Sequence, residues 1–122
     1  MIVTRASGGQ SAVSTFRILG DHHVHPIQVP PADSPLRAMT VELAPGARTA
    51  WHSHPLGQII IALHGVGQIQ AADGPVIRLR PGDAIWAPPG EQHWHGAAPT
   101  EGFVYSCVQP EDPDTGEHVI WS

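Results

Sequence analysis

Gly46-Ala-Arg-Thr-Ala-Trp-His52-Ser-His54-Pro-Leu-Gly-Gln58 is the stretch on which the fold turns. Imidazole is the commonest metal-binding side chain, and alternate residues of a strand point to one face. Read as a strand, Arg48–His54 turns Ala50, His52 and His54 to one side and Thr49, Trp51 and Ser53 to the other. His52 and His54 then aim at one point from backbone positions roughly 6–7 Å apart. Pro55-Leu56-Gly57 turns the chain, so that Gln58 opens the next strand beside them. A second glycine-framed block, Gly82-Asp-Ala-Ile-Trp-Ala-Pro88-Pro-Gly90-Glu-Gln-His93-Trp-His95, carries two more imidazoles at alternate positions.

Outward from these blocks the chain reads as short apolar runs punctuated by turns. Strands are expected at Leu36–Leu43, Arg48–His54, Gln58–Leu63, Gly67–Ala72, Val76–Arg80, Ala84–Ala87, Gln92–Ala97 and Phe103–Gln109. Asp73-Gly74 is the best hairpin signal, since both residue types tolerate positive φ. No segment keeps a 3.6-residue apolar period, so helix content is expected to be low. Eight short strands without a helical crossover fit an all-β jelly-roll barrel. The weakest pattern lies in the first thirty-five residues, where Phe16–Leu19 and Pro26–Val29 are candidate strands before Pro30-Pro31.

Bulk properties narrow the function. At 122 residues the chain is read as one domain, 1–122, with its barrel core at about 36–109. A net charge of −5, no lysine and six scattered arginines argue against a nucleic-acid or acidic-membrane partner. No apolar run approaches the length of a membrane span. Met1 to Gly20 includes Arg5 but no apolar signal core, and Cys107 stands alone. A cytoplasmic protein is therefore expected.

The two blocks resemble the paired motifs of the cupin superfamily. The first motif, G-x5-H-x-H-x3-E-x6-G, is met from Gly46 to Gly65, with Gln58 where glutamate is usual. The second, G-x5-P-x-G-x2-H-x3-N, is met by Gly82, Pro88, Gly90 and His93, with Ala97 in place of asparagine. The strings around His52 and His93-Trp-His-Gly-Ala-Ala-Pro-Thr look like the small single-domain bacterial cupins that include manganese-dependent hydroxynitrile lyases. That resemblance implies a cupin jelly roll and a divalent ion on His52, His54, Gln58 and His93, glutamine being that group's fourth ligand. It also implies N-terminal strands paired across a dimer interface, hence a homodimer or dimer of dimers. Tyr105 stands where the lyases of the group carry a histidine, a departure that bears on the lyase reading.

Glutamine in the ligand set changes the chemistry. A neutral amide leaves the full charge of a dication at the site, so a bound hydroxyl becomes more acidic. Without a carboxylate a trivalent ion is less stabilised, which turns the expectation from redox cycling toward Lewis-acid chemistry. Four protein ligands would close a tetrahedral zinc(II) site. An octahedral ion keeps two positions open, which suits manganese(II), iron(II), cobalt(II) or nickel(II); the resemblance favours manganese.

Around the ion, His95 shares a face with His93. It is either a general base for a substrate hydroxyl, a fifth ligand, or a rim residue that orients the loop after it. Tyr105 and Gln109 share a face of Phe103–Gln109. Tyr105 either donates a hydrogen bond to substrate or is core, and Gln109 lines the cavity. Met39 and Val41, with Leu43, form an apolar stripe that in the family's fold walls the substrate cavity. His64 reads as a solvent-facing strand end and Cys107 as core. Trp51, Trp86 and Trp94 read as outward or interface packing. His22, His23 and His25 make either a strand end or an adventitious surface site, and His118 has no supporting context. The expected function is redox-neutral chemistry on a small hydroxy or carbonyl compound, cyanohydrin cleavage above all. An iron or nickel dioxygenase and a non-catalytic small-ligand carrier are the alternatives.

Overall fold

Period-two burial organises the molecule. Along the strand Phe103–Pro110, the residues Phe103, Tyr105, Cys107 and Gln109 are all buried while those between are not. This inward row runs from an aromatic end to a polar one, and the whole barrel follows that gradient. The computed structural model describes Met1, Val3 and residues 16–122; most of the Met1 to Gly20 reading, including Arg5, lies outside the described residues. Within them the chain forms β1 (Ile18–Leu19), β2 (His22–Ile27), β3 (Leu36–Leu43), β4 (Arg48–Thr49), β5 (His52–Ser53), β6 (Gln58–Gly65), β7 (Gly67–Ala71), β8 (Ile77–Leu79), β9 (Ala84–Ala87), β10 (His93–Ala97), β11 (Phe103–Pro110) and β12 (Ile120–Trp121). No helix among the described residues is long and apolar enough to cross a membrane.

Two antiparallel sheets face each other. One runs β2-β3-β11-β6-β9; the other runs β1-β4-β10-β5-β12, with β7 on β10 and β8 on β7. Val24, Val41, Leu43, Ile60, Ala62 and Phe103 from the first meet Ala47, Ile69, Leu79 and Ala97 from the second. Burying such side chains contributes roughly 1.5–3 kcal/mol for each large one. This apolar plug fills one end of the barrel and leaves the other to the polar cluster.

Several sequence expectations need correction. Arg48–His54 is not one strand. Across β10, Arg48 faces Gly96 while His52 faces His93, so one strand advances four residues where its partner advances three. That is a β-bulge, which reverses the facing of the residues before it. Thr49, expected outside, is buried and lines the site beside His52 and His54, while Ala50 gives its amide to the Arg17 carbonyl at 2.8 Å. Asp73-Gly74 does sit between paired strands, but neither residue has positive φ; Gly74 N–H closes the turn onto Ala71 at 3.0 Å. In place of Pro26–Val29 the strand is His22–Ile27, tolerable for Pro26 because β2 is a sheet edge. Within the chain β1 pairs with β4 and β2 with β3, and each keeps its other edge for a partner strand. Trp94, read as outward or interface packing, is buried by its own chain: its indole donates to Gln70 Oε1 at 2.9 Å, and the Arg48 guanidinium lies 3.8 Å over its ring.

Gly57 makes the return from His54 to Gln58 possible. It sits at φ 87° with its N–H on the His54 carbonyl, and a Cβ there would lie 2.4 Å from the Trp86 ring. Only glycine meets both demands without strain.

A buried histidine cluster as candidate metal centre

At the polar end of the barrel four imidazoles pack ring to ring. The His52 ring centroid lies 4.5 Å from that of His93, 5.1 Å from His54 and 5.2 Å from His95. All four side chains are at most 3% exposed. Ring nitrogens of His52, His93 and His95 fall within 4.8 Å of one another, close enough to share one metal ion. The motifs put His54 in that set and His95 beside it; in the folded chain the His95 ring nitrogen falls within the set, and the His54 ring packs 5.1 Å from that of His52 and 5.5 Å from that of His93.

Backbone carbonyls settle which ring nitrogen carries the proton. His52 Nδ1 lies 2.8 Å from the Ala50 oxygen, His54 Nδ1 2.7 Å from that of His118, and His93 Nδ1 3.0 Å from that of Glu91. A carbonyl can only accept, so each Nδ1 donates and each Nε2 keeps a bare lone pair. Metal-ligating histidines are held in this way, one ring N–H tied to a carbonyl and the other nitrogen left for the ion. His54 Nε2, Gln58 Oε1, His93 Nε2 and His95 Nδ1 are buried with no hydrogen-bond partner. Leaving one such group unsatisfied costs about 1–3 kcal/mol; a cation held by His54, Gln58 and His93 would satisfy three of them and leave His95 Nδ1 beside it.

Burial also keeps the rings neutral. It lowers the pKa of His52 to about 3 and that of His54 to about 4, with neighbouring histidines adding to the depression. His93 is lowered by burial, and His95 well below the usual histidine range by burial and the three other rings. Neutral imidazoles are the form that binds metal.

Tyr105 is buried, and its hydroxyl meets His95 Nε2 at 2.8 Å. Burial holds that phenol well above its usual pKa, so it stays protonated. Gln58 Nε2 donates to Gln109 Oε1 at 3.2 Å, and Gln109 Nε2 reaches His118 Nδ1, also at 3.2 Å. Gln109 thus lines the cavity with both polar ends engaged. Met39 and Val41 line the cavity, and Cys107 is a buried thiol whose pKa burial raises to about 12.

The remaining histidines lie elsewhere. His64 is exposed. His22 bonds the Gly20 carbonyl, His25 meets Glu42 at 2.9 Å, and the His23 and His25 rings stack at 6.4 Å. The sequence does not place Phe16, Thr49, His118 or Trp121 at the site. Trp121 packs 4.9 Å from the His52 ring, and Phe16 meets Trp121 and His118 edge-on at 6.2 and 6.0 Å. Phe16, His118 and Trp121 reach the site from chain ends that carry no motif, while Thr49 lies within the first motif and is turned inward by the bulge. The space left between them and the histidines is about 30 Å³, room for about two or three waters.

Two facing antiparallel sheets around a strand-borne histidine cluster define a cupin, and the family model for the cupin domain matches residues 39–109; the chain belongs to this family. It is 43% identical over 90 residues to the (R)-mandelonitrile lyase of Granulicella tundricola, an alignment covering 74% of this chain and 69% of that protein. Among solved structures, a cupin-like protein from Thermotoga maritima superposes with a TM-score of 0.80 at 35% identity, over 93% of this chain and 84% of that one. The polyketide cyclase RemF from Streptomyces resistomycificus shares the fold, with a TM-score of 0.77 at 21% identity, over 90% and 79% of the two chains.

Proposed function

We propose that this cupin is a metal-dependent lyase that cleaves small cyanohydrins to an aldehyde and hydrogen cyanide without net redox change. The observation that carries the reading is the convergence of unpartnered buried donor atoms beside a His95–Tyr105 pair. The relative named as a mandelonitrile lyase supports the substrate class. His52, His54, Gln58 and His93 would hold the ion. Manganese(II) is favoured by the resemblance, while a donor set of imidazoles and one amide also accepts iron(II), cobalt(II), nickel(II) or zinc(II). A divalent ion bound there supplies Lewis-acid polarisation of a substrate hydroxyl.

The chain's own residues handle the proton. In the tautomer whose Nε2–H donates to the Tyr105 oxygen, His95 would present a bare Nδ1 to the centre. It takes the hydroxyl proton there, and the Tyr105 oxygen stabilises the imidazolium so formed. The carbon–carbon bond breaks with its electron pair leaving on cyanide, a carbonyl forms, and Nδ1–H returns the proton to cyanide. Met39 and Val41 exclude water on the substrate side.

Aldehyde release from mandelonitrile by manganese-reconstituted protein tests this. His95→Ala is expected to lower the rate on the order of 10²–10⁴-fold, the usual worth of a general base. Tyr105→Phe keeps the ring and removes the acceptor, a loss of roughly 10–100-fold for a charge-assisted bond. A rate no greater than that of free manganese(II) rejects the proposal.

The same reading makes the chain a cytoplasmic homodimer. Ile59, Ile61, Trp86 and Val108 expose apolar side chains on the outer face of the β6-β9-β11 sheet, where Ile59 is flanked by Trp86 and Val108. A contiguous apolar sheet face of this kind fits a second copy better than solvent. Sedimentation should give a dimer that Ile61→Arg converts to monomer; a monomeric unaltered chain would refute it.

A further inference from the structure

The C-terminal segment meets the metal centre through β12 and through His118. After β11 the chain turns at Asp112–Gly116, where Gly116 N–H bonds the Asp112 carbonyl and Asp112 N–H the Glu117 carbonyl. It then crosses the mouth of the barrel. β12 lies on β5, with Ile120 opposite Ser53 and Trp121 opposite His52, and Ser122 N–H ends on the Trp51 carbonyl at 3.0 Å. This strap falls outside the family-matched residues 39–109.

His118 sits in its middle and makes two contacts that point the same way. Its carbonyl oxygen accepts from His54 Nδ1 at 2.7 Å, which leaves the His54 lone pair on Nε2, facing inward. Its ring Nδ1 lies 3.2 Å from Gln109 Nε2. Gln109, donating there, has its carbonyl oxygen left for Gln58 Nε2, and Gln58 in turn has its Oε1 left for the centre. Each amide therefore has its donor and acceptor ends assigned by the next. Without an acceptor at position 118 the Gln109 amide loses its directional preference. A flipped Gln109 presents N–H to the Gln58 N–H, and Gln58 then turns its own N–H, which cannot ligate, to the ion.

We infer that His118 is a positioning residue for the metal centre, orienting His54 through its carbonyl and Gln58 through Gln109, so that docking of the strap and retention of the ion are one coupled event. The inference rests on the metal reading above and adds its dependence on a segment remote from both motifs. It bears on substrate entry as well. A cavity of about 30 Å³ is too small for an aromatic cyanohydrin. Val119 and Trp121 of the strap line this space, so a substrate that displaced the strap would loosen both ligands.

Manganese(II) titration of the full chain in a metal buffer, with His118→Asn and His118→Phe, separates this from simple packing. Asparagine Oδ1 can stand where His118 Nδ1 accepts, so His118→Asn should bind manganese within about threefold of the unaltered chain. Phenylalanine keeps the edge contact with Phe16 but offers no acceptor; loss of an outer-shell partner of this kind lowers metal affinity roughly 10–100-fold. In the unaltered chain manganese should also slow amide hydrogen exchange across residues 117–122, an effect weakened in His118→Phe. Equal affinity in His118→Phe and the unaltered chain overturns the inference, as do equal losses in both variants, or exchange in the strap indifferent to manganese. An unaltered chain that binds no manganese overturns the metal reading and this inference together, an outcome distinct from the others.

Discussion

His93→Ala is expected to lower manganese(II) affinity by more than a hundredfold. His93 is 1% exposed, opens β10 directly opposite His52, and places its ring 4.5 Å from that of His52 and 5.5 Å from that of His54. Its Nδ1 is spent on the Glu91 carbonyl and its Nε2 has no partner, so the inward lone pair is the one group this substitution removes from the cluster. Outer-shell partners of metal ligands are already worth 10–100-fold, so loss of a ligand itself should exceed that range. The fold should survive. Strand pairing of β10 with β5 and β7 uses backbone groups, and the cavity left by the ring is offset in part because a buried unsatisfied nitrogen goes with it. Thermal unfolding with and without manganese reads the effect. Saturation at about a hundred times Kd stabilises the unaltered chain by about 2.7 kcal/mol, and that increment should vanish in the variant. An equal increment in both chains would remove His93 from the ligand set.

The metal-free protein should lose stability steeply as the pH drops below about 6.5. Burial lowers the folded pKa of His52 to about 3 and of His54 to about 4, and depresses His93 and His95 as well. Below the unfolded value of about 6.5 the unfolded chain takes up protons that the folded chain refuses, so unfolding is favoured increasingly with acid. The stabilisation is fully present above that pH and is lost as the pH falls through 4 toward 3. Each such histidine contributes a slope approaching about 1.4 kcal/mol per pH unit. Against a total stability of about 5–15 kcal/mol, several together place acid unfolding between roughly pH 6 and pH 4. A circular-dichroism titration in chelator checks this, and stability constant from pH 7 to pH 5 would contradict it. Saturating manganese should move the midpoint to lower pH, because the ion binds the neutral imidazoles of the folded chain.

The barrel was largely legible because strand periodicity is local. Phe103, Tyr105, Cys107 and Gln109 could be put on one face from their spacing alone, and all four are buried. Met39 and Val41 followed in the same way. The rule failed at Arg48–His54, where the bulge opposite β10 exchanged the facing of Thr49 and Ala50. A bulge is decided by which strand pairs with which, and spacing within one strand does not contain that information. Tyr105 could be placed inside, but its partner His95 stands on a strand of the opposite sheet, beyond what either strand's pattern reveals.

From the chain of residues alone come the fold class, the family and the imidazoles, because alternation and motif spacing are properties of short segments. Which nitrogen of each ring is bare, which end of Gln58 faces the centre, and what roofs the cavity were decided only in three dimensions. His54 takes its proton assignment from a carbonyl 64 residues away and Gln58 its orientation from an amide 51 residues away. Hydrogen-bond direction is set by the partner, and these partners meet only when the barrel closes.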